Sequence, residues 1–84
     1  MRKLFFSIKI LKFDVNFELM VNNSTFSLYC DNDNLEFRGC VFNGCANYNN
    51  KDIVIYDLQK EFRFFEENLR KQVVKILKKE KFLK

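Results

Sequence analysis

The chain has 84 residues, with 15 lysines and arginines against 11 aspartates and glutamates, no histidine, and a formal net charge of +4 at pH 7. Its apolar fraction of 48% excludes a disordered tail, and its length allows one domain spanning residues 1–84. Without histidine there is no histidine general base, no Ser-His-Asp triad and no histidine metal ligand. No run approaches the roughly 18 consecutive apolar residues of a membrane-spanning helix.

The N-terminal segment changes its hydrophobic phase. Leu4, Phe6, Ile8 and Ile10 occupy even positions, whereas the apolar residues from Leu11 onward occupy odd positions. A β-bulge or a sharp bend within one strand explains the change; the alternative is an apolar edge presented to another chain. Because the even-numbered residues have no obvious place on the face of the odd-numbered ones, we expect a homodimer through this edge or through helix contacts.

The same segment resembles the start of a signal peptide, since Arg2 and Lys3 precede apolar residues. Lys9 and Lys12 interrupt the apolar stretch, however, and no cleavage site of small residues follows. We therefore expect a cytoplasmic protein.

Three segments alternate apolar and polar residues with a period of two, which predicts antiparallel strands with one buried face. Asn22-Asn23 predicts a two-residue hairpin turn, and residues 31–34, all aspartate or asparagine, predict a four-residue turn. The pairs that follow are Leu19–Phe26, Phe17–Leu28 and Val15–Cys30 across the first turn, and Leu28–Phe37 and Cys30–Leu35 across the second. The opposite face is predicted to be solvated, with Glu18, Ser27 and Arg38 in one cross-strand row.

The region after the third strand contains two further signals. Asn43-Gly44 is the strongest hairpin signal in the chain and predicts a turn before a short fourth strand over residues 45–48. The β-branched run Ile53-Val54-Ile55 favours either a strand or the start of a helix capped by Asp52.

From Asp57 onward the apolar residues repeat at helical spacing and form one stripe. The stripe contains Leu58, Phe62, Phe65, Leu69, Val73, Ile76 and Leu77. This pattern predicts one helix over about residues 57–80, packed on one face of a meander over about residues 3–56. The predicted fold class is α+β: an antiparallel three- to four-stranded β-meander under one long C-terminal helix.

No group of residues predicts catalysis or a bound ion. Cys30, Cys40 and Cys45 lack Cys-x-x-Cys spacing, so we interpret them as packed thiols in a reducing compartment rather than as a metal site. The spacing Asp31-x-Asp33 resembles a calcium loop, but the sixth position holds Glu36 instead of glycine. We therefore predict no enzyme activity, no metal and no cofactor.

The positive charge lies in the C-terminal third. Residues 1–56 hold six basic and six acidic residues, so the whole +4 lies beyond residue 56. The basic residues of the predicted helix project opposite its apolar stripe, where they form either a solvated surface or a binding surface. Those that we predict to bind a partner are Arg63, Arg70, Lys71, Lys75 and Lys78.

Two apolar residues of the helix, Phe64 and Val74, lie off the stripe on the side that should face water. Phe64 either packs against the sheet edge or the N-terminal segment, or forms part of a contact surface. The predicted partner-binding set is completed by Phe64 together with Leu4, Phe6 and Ile8 of the phase-shifted segment.

These features favour a binding module without catalysis that docks on a larger protein or on a protein–nucleic-acid complex. In size and architecture alone, the chain is similar to phage-encoded inhibitors of host defence complexes, including anti-CRISPR proteins; that resemblance implies action in the host cytoplasm. The alternative is direct nucleic-acid binding by the basic helix, although its face lacks the interleaved aromatics of a single-strand platform. A membrane-surface helix is a third hypothesis, and it is disfavoured because the apolar stripe is needed to cover the sheet.

Overall fold

A computed structural model describes residues 1–84 as one five-stranded antiparallel sheet and a C-terminal helical segment. The strands are β1 (Arg2–Ile10), β2 (Phe13–Asn22), β3 (Thr25–Asn32), β4 (Phe37–Ala46) and β5 (Ile53–Tyr56), in the order β1-β2-β3-β4-β5. The helices are two 3₁₀ helices, Tyr48–Asn50 and Lys60–Phe65, and the α-helix α1, Glu66–Lys79. The α+β class is confirmed, with five strands instead of three to four.

A hairpin turn, and not a bulge or bend, causes the phase change near Ile10. Leu11 and Lys12 form a two-residue turn, and Leu11 adopts a φ of +56°. Ile10 pairs with Phe13, so every β1–β2 pair joins an even position to an odd one. Residues 2–10 therefore form a separate strand whose even positions share the face of the odd positions of β2. The expectation that Leu4, Phe6 and Ile8 have no place on the covered face is wrong, because Ile8 is buried and the other two are half-buried against the core.

The next turn lies one residue later than expected. Asn23 and Ser24 form it, with Asn23 at a φ of +57°. The observed pairs are Val21–Phe26, Leu19–Leu28 and Phe17–Cys30, so the predicted pairing is displaced by two residues. A displacement of two keeps every side chain on its face, which is why the apolar face is as predicted. The predicted row of Glu18, Ser27 and Arg38 does not form, since Tyr29 lies opposite Glu18 and Met20 opposite Ser27.

The turn between β3 and β4 spans residues 33–36, so Leu35 lies in the turn and not in a strand. Asn32 stabilises it, because its Oδ1 accepts a hydrogen bond from the Leu35 backbone N–H at 3.0 Å. The pairing starts at Asn32–Phe37 and shifts between Leu28 and Tyr29, where β4 carries a bulge. The predicted pairs Leu28–Phe37 and Cys30–Leu35 are therefore wrong.

Asn43-Gly44 is not a turn but part of β4, and residues 45–48 do not form a separate fourth strand. Ser27 Oγ donates a hydrogen bond to Asn43 Oδ1 at 2.6 Å across the β3–β4 pair. A Cβ atom at Gly44 would lie 2.5 Å from Cε2 of Phe26, which is its cross-strand neighbour. The glycine thus gives room to an aromatic ring instead of closing a turn.

The predicted helix start at residue 57 is also wrong. Residues 53–56 form β5, and Asp52 Oδ1 accepts a hydrogen bond from the Ile53 N–H instead of capping a helix. Asp57 adopts a φ of +55°, and the Gln59 N–H donates to the Val41 carbonyl at 2.9 Å. These contacts hold residues 57–59 against β4 in a non-helical conformation. A 3₁₀ helix follows over Lys60–Phe65, and regular α-helix begins at Glu66.

The core lies between one face of the sheet and the C-terminal helical segment. Its fully buried large side chains are Phe17, Phe42, Phe62, Ile10, Leu19, Leu28, Leu69, Leu77, Val15, Val41 and Val73. Phe62 joins the two layers, with ring centroids 5.0 Å from Phe37 and 6.1 Å from Phe17 in edge-to-face geometry. A membrane-crossing helix would need more length and more apolar residues than any helix here has.

Candidate docking surface

The outer face of α1 carries three exposed lysines, Lys71, Lys75 and Lys78. Spacings of four and three residues place them on one side of a helix. None of the three has a carboxylate oxygen within 4.0 Å, so their charges are free to attract an anionic partner. Together with Asp52, Arg70 and Val74 they line a shallow concavity of about 410 Å³.

Arg70 belongs to this concavity but is also a structural residue. Its guanidinium Nη1 donates to the Ile53 carbonyl at 2.6 Å and lies 3.5 Å from Asp52 Oδ1. These contacts tie α1 to the last strand of the sheet. Of the predicted partner-binding basic residues, Arg70 alone has its charge already engaged within the molecule.

Phe64 is the most exposed aromatic side chain of the protein, with 94% of its surface accessible. It lies in the 3₁₀ helix over residues 60–65, where three residues per turn direct Phe62 and Phe65 inward and Phe64 outward. Of the two alternatives for Phe64, packing against the sheet edge or the N-terminal segment is wrong, and its role in a contact surface stays a prediction. Arg63 is exposed beside it and makes no ion pair.

The other off-stripe residue, Val74, behaves differently from Phe64. It is half-buried and packs against the core while also lining the basic concavity. It is therefore the one hydrophobic residue among the charged side chains that line the concavity.

The three predicted partner-binding residues of β1 do not join this surface. Leu4, Phe6 and Ile8 lie on the sheet face that packs against the core, and the ring of Phe6 stacks on Phe17 at 5.3 Å. The structure thus brings together Arg70, Lys71, Lys75 and Lys78 and places the β1 residues elsewhere.

A second surface, the open face of the sheet, was not predicted as a site. No helix covers it, and it exposes Phe5 (72%), Val54 (47%) and Tyr56 (44%) around half-buried Tyr29 and Met20. A concavity of about 640 Å³ lies over its central strands. One feature of the sequence indicates an apolar residue on this face: Phe5 is the one large apolar residue at an odd position of β1.

The charged side chains of the open face are paired, unlike Lys71, Lys75 and Lys78 of α1. Lys3 Nζ lies 3.7 Å from Glu18 Oε1, and Lys9 Nζ lies 3.9 Å from Asp14 Oδ1. Arg38 contacts two aspartates, Asp31 (Nη1 to Oδ1, 2.6 Å) and Asp33. The residues that resembled a calcium loop are thus engaged by a guanidinium.

The three cysteines are free thiols. Burial, with a smaller contribution from the charge of Asp31, raises the pKa of the Cys30 thiol to about 11. Burial and then the charge of Asp57 also raise the pKa of Cys40. A raised pKa disfavours the thiolate, which is the nucleophilic and metal-binding form. No cluster of three or more cysteines and carboxylates is arranged to hold a metal ion.

Comparisons with protein-family models, curated proteins and solved structures returned no match for this chain. The C-terminal helical segment thus exposes both a phenylalanine, Phe64, and the unpaired lysines Lys71, Lys75 and Lys78.

Proposed function

We propose that this protein is a binding module without catalysis that docks on an acidic surface of a larger protein or protein–nucleic-acid complex. The docking surface would consist of Phe64, Arg63 and the outer face of α1. The observation that carries the proposal is the 94% exposure of Phe64 at the start of a helical segment whose lysines are unpaired.

The two kinds of side chain would have different roles. An exposed phenylalanine gains free energy when a partner pocket removes its ring from water, and a few such aromatic anchors usually dominate the affinity of an interface. Lysines at the rim instead attract the partner over distance and raise the association rate. Phe64 would therefore supply affinity, and Lys71, Lys75 and Lys78 would supply steering.

The chemistry of the partner follows from the charge. Nine basic and five acidic residues follow position 56, and α1 ends in Lys78 and Lys79. An acidic protein surface with an apolar pocket matches this arrangement. Inhibition of a host defence complex by a small phage protein is one activity of this kind, and the size and architecture of the chain support it.

A second candidate function is direct nucleic-acid binding, and a specific observation favours it. Lys71, Lys75 and Lys78 lack carboxylate partners and line one concavity, so each is free to contact a phosphate. Binding of this kind would fall steeply with salt, because each neutralised phosphate releases counterions. Phe64 would contribute little to it.

Affinity capture with purified tagged protein distinguishes these functions. Wild type, Phe64→Ala, Tyr48→Ala and Lys71→Glu/Lys75→Glu/Lys78→Glu would be compared against one lysate, with and without nuclease. Tyr48 is the matched control, since it is 90% exposed but lies in the short 3₁₀ helix between β4 and β5. The proposal expects nuclease-resistant capture that Phe64→Ala abolishes and Tyr48→Ala leaves intact.

Direct titration of labelled single- and double-stranded DNA and RNA at 50 and 150 mM salt tests the second candidate. Micromolar binding that the lysine variant abolishes and Phe64→Ala leaves unchanged would replace the first proposal by the second. Absence of binding at both salt concentrations would remove the second.

A further inference from the structure

The two edges of the sheet differ in length and protection. β5 has four residues, and the Arg70 guanidinium hydrogen-bonds the carbonyl of its first residue, Ile53. β1 has nine residues, no glycine, no proline and no bulge, and all nine pair with β2 on one side only. Its outer side therefore presents a long, regular row of backbone groups that another strand can pair with.

This edge carries apolar side chains on both faces of the sheet, although three of its four residues on the open face, Lys3, Ser7 and Lys9, are polar. Leu4 and Phe6 are half-buried at the rim of the core, and Phe5 is 72% exposed on the open face. Edge strands are usually protected by lysines that repel a second strand. Here Lys3 and Lys9 lie 3.7 and 3.9 Å from carboxylates of β2, which reduces that repulsion.

We propose that β1 pairs antiparallel with β1 of a second copy of this chain, about a two-fold axis that passes between the two Phe5 residues. The two sheets then become one ten-stranded sheet. Leu4 of each copy lies opposite Phe6 of the other on the core side, and Lys3 lies opposite Ser7 on the open side. This inference does not depend on the proposed docking function.

Charge and hydrophobic matching select this register from its neighbours. A shift of one residue would bring core-facing side chains to the open face. Centring the axis on Phe6 would place Lys3 opposite Lys9 twice, and like charges directly opposite one another are unfavourable. Centring it on Ser7 would place Phe5 opposite Lys9. The register centred on Phe5 pairs ring with ring and has no opposed like charges, and it places a cation opposite an apolar residue only at its ends, where Arg2 lies opposite Ile8.

The occupant is a second copy because the edge is complementary to itself. A strand from another protein would need its own apolar residues on both faces in the same register, whereas a second β1 provides them by symmetry. An isologous contact of this kind also ends at a dimer, because the β1 edge of each copy is then paired.

Sedimentation equilibrium between 1 and 100 µM tests the assembly. A dimer has twice the 10.2 kDa of the chain, and we expect wild type to reach that mass within this range. Phe5→Lys places two like charges at the axis and should give a monomer with an unchanged circular dichroism spectrum. Val54→Lys, an equally simple change on the exposed face of β5, should remain dimeric. A monomeric wild type at 100 µM, or loss of the dimer in Val54→Lys alone, would overturn the proposal.

Cysteine cross-linking tests the register in a background where Cys40 and Cys45 are replaced by serine. Phe5→Cys should form an intermolecular disulfide on mild oxidation, since residues directly opposite have Cα atoms about 4.5–5.5 Å apart. Ser7→Cys should not, because the two copies of residue 7 would lie four residues, about 13 Å, apart along the strands. Efficient cross-linking at residue 7 and not at residue 5 would contradict the register.

Discussion

Phe62 and Phe64 are two residues apart in the same 3₁₀ helix and occupy opposite environments. Phe62 is 1% exposed and contacts the rings of Phe17 and Phe37, whereas Phe64 is 94% exposed and contacts no other ring. The same division continues along α1, where Leu69 and Val73 are buried and Lys71 is exposed. The inward side of this segment holds the fold together, and the outward side is available for a partner.

The contrast shows that residue type alone does not assign a role to an aromatic side chain. The sheet offers Phe62 a place between two other rings, and nothing in the fold offers one to Phe64. Removing Phe62 should therefore affect folding, and removing Phe64 should affect only binding.

The largest expected effect is that of Phe62→Ala, which leaves a cavity between the two layers. We expect it to lower the free energy of unfolding by about 3–5 kcal/mol, which approaches the whole stability of a small domain. Phe64→Ala should change it by less than about 0.5 kcal/mol. Urea denaturation of both variants checks the pair, and similar losses in the two would contradict the division into inward and outward sides.

The sheet also has an inward and an outward side, and Cys30 lies on the inward side. It is buried, whereas Cys40 and Cys45 are half-buried. Below about pH 9 its thiol is protonated in both the folded and unfolded chain, so its contribution to stability is fully present. Between pH 9 and its folded pKa of about 11, the unfolded thiol ionises first and stability falls. At pH 10.5 the loss from this group should be roughly 2 kcal/mol relative to pH 8. Cys30→Ala should lose correspondingly less over the same interval; an equal loss would show that Cys30 does not cause it.

Arg70 and Lys71 give a sharper test, because they are adjacent basic residues with different contacts. Arg70→Ala removes the hydrogen bond to the Ile53 carbonyl and should cost about 1–2 kcal/mol of stability. Lys71→Ala removes no contact within the molecule and should cost less than about 0.5 kcal/mol. Thermal melts in the same buffer compare them. Equal melting temperatures would mean that Arg70 does not secure β5 to α1.

The smallest effect is expected at Lys75, which has like charges at Lys71 and Lys79, four residues away on either side. Lys75→Gln should stabilise the protein by about 0.2–0.5 kcal/mol at low salt by removing that repulsion. The gain should disappear in 0.5 M salt, where surface charges are screened. A stabilisation that survives high salt would require another cause.

Much of the fold could be predicted from alternation of apolar residues. The faces of β2 and β3 were predicted correctly although their register was displaced, because a displacement of two residues preserves the side on which each residue lies. Residues 2–10 were not predicted to be a separate strand, because the turn that follows them has no sequence signal. Leu11-Lys12 contains no residue typical of a turn, and Leu11 adopts the left-handed region nonetheless.

The remaining errors arose where contacts distant in sequence decide the local structure. Asn43-Gly44 has the composition of a turn, but its glycine accommodates the ring of Phe26 from the neighbouring strand. No helix starts at Asp57, where the chain has a positive φ and Gln59 donates a hydrogen bond to Val41 of β4, a contact that no local pattern indicates.

The candidate site was predictable in part. Phe64 was selected because it departs from the helical stripe, and the structure exposes it fully. The contact of Arg70 with Ile53 was not predictable, because it depends on where β5 lies relative to α1. Leu4, Phe6 and Ile8 were predicted to bind a partner because their even positions had no place on the face of the odd-numbered residues. The hairpin between β1 and β2 removes that reason, since it brings them to the covered face, but the outer edge of β1 remains unpaired.

Binding kinetics distinguish the role of Phe64 as an anchor from the role of the lysines in attracting the partner. Once capture has supplied the partner, its association and dissociation rates should be measured for wild type, Phe64→Ala and Lys71→Glu/Lys75→Glu/Lys78→Glu. We expect Phe64→Ala to raise the dissociation rate at least tenfold, and the lysine variant mainly to lower a salt-dependent association rate. A Phe64→Ala variant that dissociates as slowly as wild type would show that Phe64 is not the anchor.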